Sequence, residues 1–536
     1  MISSKVQSRG PDPWGHALRA RARRITTLLL ASVAVTGFSP TVQAETLPGA
    51  LAKAYRNNPT LNAQRAGTRA ADENVPIATS GYLPHVTATG DVGYQYSNAS
   101  LAGTSASAGA STAGTTAGTT GTTAGGLGTG GASTGTSSGL GGSSGTSTGL
   151  GTSTSTSSSS GGAAGINETV PRGVGLQVTQ TLFDGFRTSN SIKQAESNVF
   201  GQRETLRNIE QSVLQSAAQS YMDVLRDTAV LELRNSNIKV LDEQLRQTQD
   251  RFKVGEVTRT DVAQAEAGLA GSRAEYYTAQ ANLQNSIASF RQVVGEQPTR
   301  LEPAKPIERG LPRSLANAIT VSQVEHPNVQ SALHQVDVAE LQVKISEGAL
   351  YPQIGLTGSV AQRYDVSNVP GSSAFVGFVG ASASIPIYEG SAPYATIRQA
   401  KENLSQARLQ ADVVREQVRA AVISAWGLLE SSKVVVQSDQ AQVNASEIAL
   451  NGVREEARVG QRTTLDVLNA QQTLLNARVA LVGAQRDRVV ASYAVLSSIG
   501  RLTTGSAGVR VQQYSPVVHF EQVKDKWFGI RTPDGK

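Results

Sequence analysis

The chain has 536 residues, no cysteine and only 5% aromatic residues. Its formal net charge is +6, but the first 44 residues hold six basic side chains and one acidic one. Residues 45–536 therefore carry 42 basic and 41 acidic side chains, a net charge of +1. This balance gives no support to nucleic-acid binding. The absence of cysteine excludes disulfides, thiolate metal sites and a cysteine nucleophile.

The first 44 residues have the pattern of a secretory signal. Four arginines lie between positions 19 and 24, an apolar run covers 25–35, and Ala44 precedes a predicted cleavage before Glu45. The apolar run is too short to span a bilayer as a helix. We therefore interpret residues 1–44 as a bacterial-type signal peptide and the rest as an exported chain.

Two stretches 205 residues apart repeat one another, RFKVGEVTRTDVAQA from Arg251 and EARVGQRTTLDVLNA from Glu456. The alignment runs without a gap to Gly295 and Gly500. Self-similarity at such a distance indicates two copies of one structural unit. We predict a first repeat over 45–305, a second over 306–505 and a tail over 506–536. Each repeat has a long helix, a Val-Gly turn and a returning helix, predicted over 186–253, 261–294, 391–458 and 466–499.

Between the helical segments the pattern of apolar residues changes to a period of two. This predicts strands near 85–96, 173–183, 353–364 and 375–388, apolar on one face and small or polar on the other. Residues 97–167 carry no charge and consist almost entirely of Ser, Thr, Gly and Ala. Such a segment buries too little apolar surface to fold, so we predict a disordered loop. The strands fit a membrane β-barrel, or a soluble antiparallel sheet with one wet face.

The two long helices set the scale of the molecule. About 68 residues at 1.5 Å each give a helix of roughly 100 Å, far longer than a compact domain needs. An open sheet edge is not tolerated in lipid, and four strands cannot close a barrel. The chain must then oligomerise, as a dimer of eight strands or a trimer of twelve. We favour twelve, because the small inward-facing residues suit an open lumen. The fold class is thus mainly α with a membrane β-barrel.

At this point the residues resemble a known family. The paired VGxxxxxDV turns, the LFDG and IYEG strand-to-helix junctions, the Asn-Pro and His-Pro helix starts and the KWFG tail are similar to those of the TolC family of outer-membrane channel-tunnels. The resemblance implies a homotrimer with a 12-stranded barrel in the Gram-negative outer membrane and a long α-helical coiled-coil tunnel in the periplasm. It also implies a passive exit duct for type I secretion or multidrug efflux, opened at its periplasmic tip by an adaptor and an inner-membrane ABC or proton-driven transporter.

The same resemblance assigns roles to residues of the two Val-Gly turns. Asp466 matches an acidic ring at the pore constriction, and Asn469 stands where some members have a second acid. Asp261 and Arg462 match positions that bridge the tip shut, whereas Ala457 replaces a tyrosine of that network. A competing role for Asp261 and Asp466 is that of helix N-terminal carboxylates favoured by the dipole. The adaptor-docking turns are Val254, Gly255, Thr258, Val459, Gly460 and Thr463.

We find no arrangement of residues that predicts an enzyme. The histidines lack metal-ligand spacing, and the Ser-rich segment lacks the strand and helix that a nucleophile elbow needs. No phosphate-binding glycine loop is present, so energy for transport has to come from a partner, and we predict no cofactor. The alternative function is a trimeric surface coiled-coil adhesin or structural envelope protein. In such an adhesin the strands lie at the C-terminal end, whereas here they lie inside both repeats.

Overall fold

The computed structural model describes residues 45–98, 166–307, 310–366, 371–533 and 535. The predicted signal peptide and residues 99–165 of the predicted loop lie outside these ranges. The chain divides into a helical unit, up to Pro84, Gln180–Gly355 and from Ser382, and a strand unit of His85–Thr179 and Leu356–Ala381.

Five helices of the helical unit belong to the first half of the chain. They are α1 (Leu47–Asn57), α2 (Pro59–Asp72), α3 (Asn74–Thr79), α4 (Arg187–Lys253) and α5 (Arg259–Val294). The Asn-Pro pair separates α1 from α2. Asn58 Oδ1 accepts hydrogen bonds from the backbone N–H of Thr60 (2.9 Å) and Leu61 (3.2 Å), and Pro59 occupies the first helical position. Both features are typical of a helix start.

The second half contributes α6 (Leu315–Glu325), α7 (Pro327–Glu347), α8 (Ala392–Arg458), α9 (Thr464–Ser498) and α10 (Pro516–Val523). His326 has the place of Asn58. Its Nδ1 accepts a hydrogen bond from the backbone N–H of Asn328 at 3.1 Å, and Pro327 follows as the first helical residue. The two repeats therefore use the same backbone device with different capping side chains.

The long helices α4 and α8 have 67 residues each, which corresponds to about 100 Å. Helix α4 packs against α5, α7 and α9, and helix α8 packs against α9 and α7. Fully buried side chains from both repeats form one core: Leu51, Leu214, Tyr221, Phe290, Leu496 and Ile499. None of the helices in the described part of the chain has an apolar stretch that could cross a membrane.

The strands are β1 (His85–Val92), β2 (Gln95–Asn98), β3 (Ile166–Thr169), β4 (Arg172–Phe183), β5 (Gln353–Tyr364) and β6 (Ser373–Ser384). Four of them form one open sheet in the order β1-β4-β5-β6. Strands β1 and β4 are antiparallel, from His85 opposite Thr179 to Val92 opposite Arg172. Strands β2 and β3 continue the same register as a separate antiparallel pair.

Several predicted boundaries are corrected. The first predicted strand is split into β1 and β2 after Val92. Opposite this break lies Pro171, which lacks the N–H that a ladder needs. The last strand ends at Ser384 rather than near 388, because Pro386 two residues on interrupts pairing in the same way. Helices α5 and α9 begin two residues earlier than predicted, since Thr258 and Thr463 are the capping residues that precede them.

The C-terminal tail returns to the first repeat through α10, which packs against α2. His519 Nδ1 lies 2.9 Å from Asp72 Oδ2, and the Asp72 side chain is fully buried. Arg203 of α4 approaches the other carboxylate oxygen at 3.8 Å. The tail is thus anchored to α2 and α4 by a buried polar contact.

Candidate functional site

The first Val-Gly turn joins α4 to α5. Gly255 has φ +83°, a backbone conformation that residues with a side chain rarely adopt. Its N–H donates to the carbonyl of Phe252 at 3.0 Å, and the N–H of Glu256 donates to the carbonyl of Arg251 at 2.9 Å. This bond pair is a Schellman motif, which satisfies the last carbonyls of α4. Val254 beside it is 72% exposed.

The second turn joins α8 to α9 with the same geometry. Gly460 has φ +80°. Its N–H donates to Ala457 O at 3.3 Å, and the N–H of Gln461 donates to Glu456 O at 2.9 Å. Val459 is 71% exposed, almost the same as Val254. Two solvent-exposed turns per chain therefore present the same backbone and the same apolar side chain.

Each returning helix opens with a capping box. In the first turn, Asp261 Oδ2 accepts hydrogen bonds from Thr258 N (2.8 Å) and Thr258 Oγ1 (2.7 Å), and Thr258 Oγ1 accepts one from Asp261 N (3.3 Å). In the second, the corresponding distances between Thr463 and Asp466 are 3.0, 3.0 and 3.2 Å. Such reciprocal bonds satisfy two free donors of the helix N-terminus.

The capping bonds explain the acidity of both carboxyl groups. Hydrogen bonds from the Thr258 hydroxyl and backbone lower the pKa of Asp261, and Arg251 contributes in the same direction. Hydrogen bonds from Thr463 and the charge of Arg462 lower the pKa of Asp466. Among the described residues, only Oδ2 of each carboxylate accepts a bond. The Oδ1 atom of each carboxylate can therefore still accept a hydrogen bond from another group.

An ion pair closes each turn, with opposite polarity. In the first turn Arg251 belongs to the helix and Glu256 to the turn, and Arg251 Nε lies 2.9 Å from Glu256 Oε2. In the second, Glu456 belongs to the helix and Arg462 to the turn, with 2.8 Å between Glu456 Oε2 and Arg462 Nε. Glu456 also raises the pKa of the Arg462 guanidinium by hydrogen bonding and charge.

Within one chain, the predicted site residues of each turn lie close together. The two turns are not joined by the predicted bridge between Asp261 and Arg462. Within the described ranges, Arg462 pairs with Glu456, and no ion pair connects it to Asp261. Asn469 lies one turn beyond Asp466 on α9, where it is exposed, and its carbonyl accepts a bond from Thr473 Oγ1. Asp466 and Asn469 therefore lie on the same side of α9.

A chain of polar side chains links the two helical hairpins above the turns, and the sequence analysis did not identify it. Arg454 of α8 donates to Gln471 Oε1 on α9 at 3.0 Å, and Gln471 Nε2 donates to Asn237 Oδ1 on α4 at 3.4 Å. Asn237 Nδ2 then donates to Ser272 Oγ on α5 at 3.1 Å. Asn237 is 3% exposed and Ser272 4%. The sequence indicated only that polar residues occupy positions on these helices; Asn237 and Ser272 are buried there, whereas Arg454 is exposed.

A cavity of about 570 Å³ lies between the ends of α4 and α8. Its walls include Lys239, Glu243 and Arg251 from α4 and Arg454 and Arg458 from α8. Ala457, which replaces the tyrosine expected from the resemblance, also lines it. The single methyl group of Ala457 occupies little of this space.

No group of three or more His, Cys, Asp or Glu side chains within the described ranges is arranged to hold a metal ion. The exposed turns instead combine fixed backbone geometry with paired charges. Such an arrangement can bind another protein or repel and attract ions.

Comparison with known proteins gives these features a context. The sequence matches the family model of the outer membrane efflux proteins over residues 145–296 and 318–501. It is 40% identical to the outer membrane efflux protein BepC of Brucella suis biovar 1 over 512 residues, 95% of this chain and 98% of BepC. It is 26% identical to the outer membrane protein TolC of Escherichia coli, covering 63% of this chain and 71% of TolC.

The fold has a counterpart among solved structures. The crystal structure of the Campylobacter jejuni CmeC outer membrane channel superposes with a TM-score of 0.67 at 15% identity, covering 89% of each chain. At this identity the likeness concerns the fold. The family match and the relation to BepC concern the sequence itself, over most of its length. The resemblance to the TolC family is confirmed, and the chain belongs to the outer membrane efflux proteins.

Proposed function

We propose that three copies of this chain form a passive export duct, with a closed 12-stranded barrel in the outer membrane and a helical tunnel through the periplasm. The observation that carries this proposal is the open sheet: β1 and β6 are its two edges in the described chain. An unpaired edge costs several kcal/mol per backbone group in lipid. Three copies would close the sheet edge to edge.

The exposure of the strands supports a lipid-facing surface. Large apolar side chains on all four sheet strands are exposed in the single chain, among them Val86, Val174, Leu356, Phe375 and Val379. A soluble sheet would leave these residues in water, whereas a barrel would place them in the hydrocarbon region. The chain is an outer-membrane protein of its family, and the alternative of a surface adhesin has no observation in its favour.

The two turns are the proposed working end of the duct. Val254, Gly255 and Thr258 of one turn, and Val459, Gly460 and Thr463 of the other, form six docking points on a trimer for a periplasmic adaptor. The adaptor connects the duct to an inner-membrane ABC or proton-driven transporter, which supplies the energy. Whether the transported molecule is a drug or a protein decides between efflux and type I secretion.

Asp466 and Asn469 are proposed to line the constriction. Three copies would bring three Asp466 carboxylates to one narrow pore, where they would attract cations. Asp261 and Arg462 are proposed to bridge neighbouring copies. Within the described part of one chain they are not paired with each other, and Arg462 pairs with Glu456. The free Oδ1 of Asp261 can accept one charge-assisted hydrogen bond from an arginine, since Oδ2 is already bonded to Thr258.

Conductance in a planar bilayer tests the gate. Wild-type trimers should conduct weakly, and Asp261→Ala or Arg462→Ala should raise the conductance because each removes one side of the bridge. Lys253→Gln is the matched control, since Lys253 is an exposed charge beside the first turn whose ion pair among the described residues is with Asp250. Equal conductance in all four proteins would remove the gate assignment.

The mass of the purified assembly tests the stoichiometry separately. Native mass spectrometry should give three copies. A mass of two copies would indicate an eight-stranded barrel, whose interior is filled by side chains, and would contradict the open duct. Loss of drug resistance in a deletion strain, restored by the wild-type gene, would assign efflux rather than protein secretion.

A further inference from the structure

A second cavity of the helical unit lies away from the turns, between α2, the end of α1 and the tail that carries α10. Its volume is about 830 Å³, within the range of small-molecule sites. Four arginines line it, Arg56, Arg65, Arg69 and Arg510, and none of its described lining residues is an aspartate or glutamate. The cavity is therefore strongly basic in a chain that is otherwise nearly neutral.

Arg65 is held in place by stacking. Its guanidinium carbon lies 4.5 Å from the centre of the Tyr55 ring and 5.3 Å from that of Tyr514. Nη1 donates to Asn62 Oδ1 at 2.9 Å, whereas the buried Nη2 has no hydrogen-bond partner. The buried hydroxyl of Tyr514 also lacks a partner. The two rings hold the Arg65 guanidinium at the wall of the cavity, where its fixed charge favours an oxyanion even though Nη2 itself is buried.

Arg56 and Arg510 add two charges without internal partners. Both are exposed, and neither has a carboxylate within 4.0 Å in the described part of the chain. Some arginines of the long helices are paired instead, for example Arg207 with Glu204 and Arg415 with Asp412. Surface arginines that remain unpaired around one cavity can bind a ligand without breaking an existing ion pair.

The surrounding groups do not cancel this charge. His519 also lines the cavity, but its Nδ1 is bonded to the buried Asp72. Glu210, which lines a small neighbouring cavity, interacts electrostatically with Arg65 and with Arg207. Burial raises the pKa of Glu210, and Arg65 and Arg207 oppose this shift. No carboxylate stands beside Arg56 and Arg510 among the described lining residues of the cavity itself.

We propose that this cavity binds a ligand with two or more oxyanion groups, carboxylate or phosphate. Arg65 contributes a fixed positive charge to the wall, and the exposed guanidinium groups of Arg56 and Arg510 bind the oxyanion groups at the rim. Gln513 and Gln522 supply amide donors on the same wall. In the periplasm such groups occur on the carboxylate-rich peptides of the cell wall and on soluble phosphate compounds.

The test measures binding to the full-length protein in detergent by calorimetry, with two probes. One is a soluble muropeptide with several free carboxylates, and the other is inorganic tripolyphosphate. Wild type should bind at least one probe saturably, and Arg56→Gln/Arg510→Gln should weaken that binding at least tenfold. Binding should also weaken as sodium chloride rises from about 50 to 500 mM, as expected for ion pairing.

Arg300→Gln/Arg313→Gln is the matched control. It removes two exposed arginines of the segment between α5 and α6, which also lack an ion pair in the described ranges. This control should change the affinity less than twofold. Muropeptide binding alone would assign the cell wall as the source, and tripolyphosphate binding alone would assign phosphate. No saturable binding to folded wild type, or equal loss in the control, would overturn the proposal. Bilayer conductance of the same variants keeps this outcome separate from that of the export function.

Discussion

The two repeats share a backbone and differ in the side chains placed on it. Asn58 and His326 cap equivalent helices, and Gly255 and Gly460 have nearly the same φ. The charges at the turns are not shared between the repeats, since the ion pairs that close the two turns have opposite polarity. Backbone geometry depends on a few glycine, proline and capping positions, which duplication preserves. Side-chain chemistry at exposed positions is free to diverge, and this divergence makes the turns distinguishable to a partner.

The returning helices differ too. Residues of α9 such as Val489, Tyr493 and Leu496 join the main core, and α9 packs against α8, α4 and α5. Helix α5 packs against α4, α1 and α9 and has fewer buried residues along a similar length. Equivalent sequences therefore have unequal surroundings, because the second repeat folds against the first and not against a copy of itself.

The largest expected difference concerns the glycines of the two strand-to-helix junctions. Gly185 and Gly390 both have positive φ, +69° and +73°. A Cβ at Gly185 would overlap the carbonyl oxygen of Gly348 and lie 2.7 Å from Tyr351 Cβ, whereas one at Gly390 meets nothing. Gly390→Ala should cost about 1 kcal/mol through its φ alone. Gly185→Ala should cost about 3 kcal/mol or more, through added overlap.

Thermal unfolding of both variants in detergent checks this difference. Gly185→Ala should lower Tm several times more than Gly390→Ala. Equal decreases would mean that the close approach at Gly185 is relieved by movement of the 348–351 segment.

A second difference should appear only on acidification. Burial and the charge of Arg207 lower the pKa of His326 from 6.5 to about 4. The folded state then binds fewer protons than the unfolded state. The contribution of neutral His326 to the free energy of unfolding is therefore complete above about pH 6.5 and is lost as pH falls toward 4. The loss should reach about 2 kcal/mol at pH 5.

The first repeat supplies the variant that tests it. His326→Asn introduces the residue that caps α2, which cannot titrate in this range, and should flatten the dependence of Tm on pH between 7.5 and 5. The control is Asn58→Ala, which removes a cap without removing a titrating group and should leave the slope unchanged. An unchanged slope in His326→Asn would show that another group carries it.

The capping boxes should behave alike in the two repeats. Asp261→Ala and Asp466→Ala remove the same bonds, those that the carboxylate accepts from the capping threonine, so hydrogen exchange of the first-turn amides of α5 and α9 should accelerate to a similar degree. Both pKa values lie below 3.8, so the caps are present above that pH and are lost as pH falls through the lowered values. Asp250→Ala, beside the first turn, should leave exchange unchanged. Acceleration at one helix only would contradict the equivalence.

The smallest expected effect on stability is that of turn polarity. Glu456→Arg with Arg462→Glu gives the second turn the polarity of the first. Exposed ion pairs contribute little to folding, so Tm should not change. If Arg462 bridges neighbouring copies, conductance should still rise in this double variant. Conductance equal to wild type would mean that the pair acts only within its own turn.

Much of the fold was predictable because its determinants are local. The Val-Gly turns, the Asn-Pro and His-Pro starts and the long helical periods depend on contacts within a few residues. The prediction placed Asp261 and Asp466 at the helix starts, but the helices begin two residues earlier, with each aspartate at the third helical position. The interruption after Val92, opposite Pro171, and the strand end before Pro386 were missed because the alternation continues through residues 93–96 and past Pro386.

The candidate sites divide along the same line. Local sequence determined the turns, their glycines and their capping pairs, since backbone φ and neighbouring hydrogen bonds decide them. Only the tertiary structure decided that Asn237, Ser272 and Gln471 meet, and that Arg56, Arg65 and Arg510 line one cavity. Those contacts join residues far apart in the chain, through the packing of α4, α5 and α9 and the return of the tail onto α2. No short-range pattern encodes them.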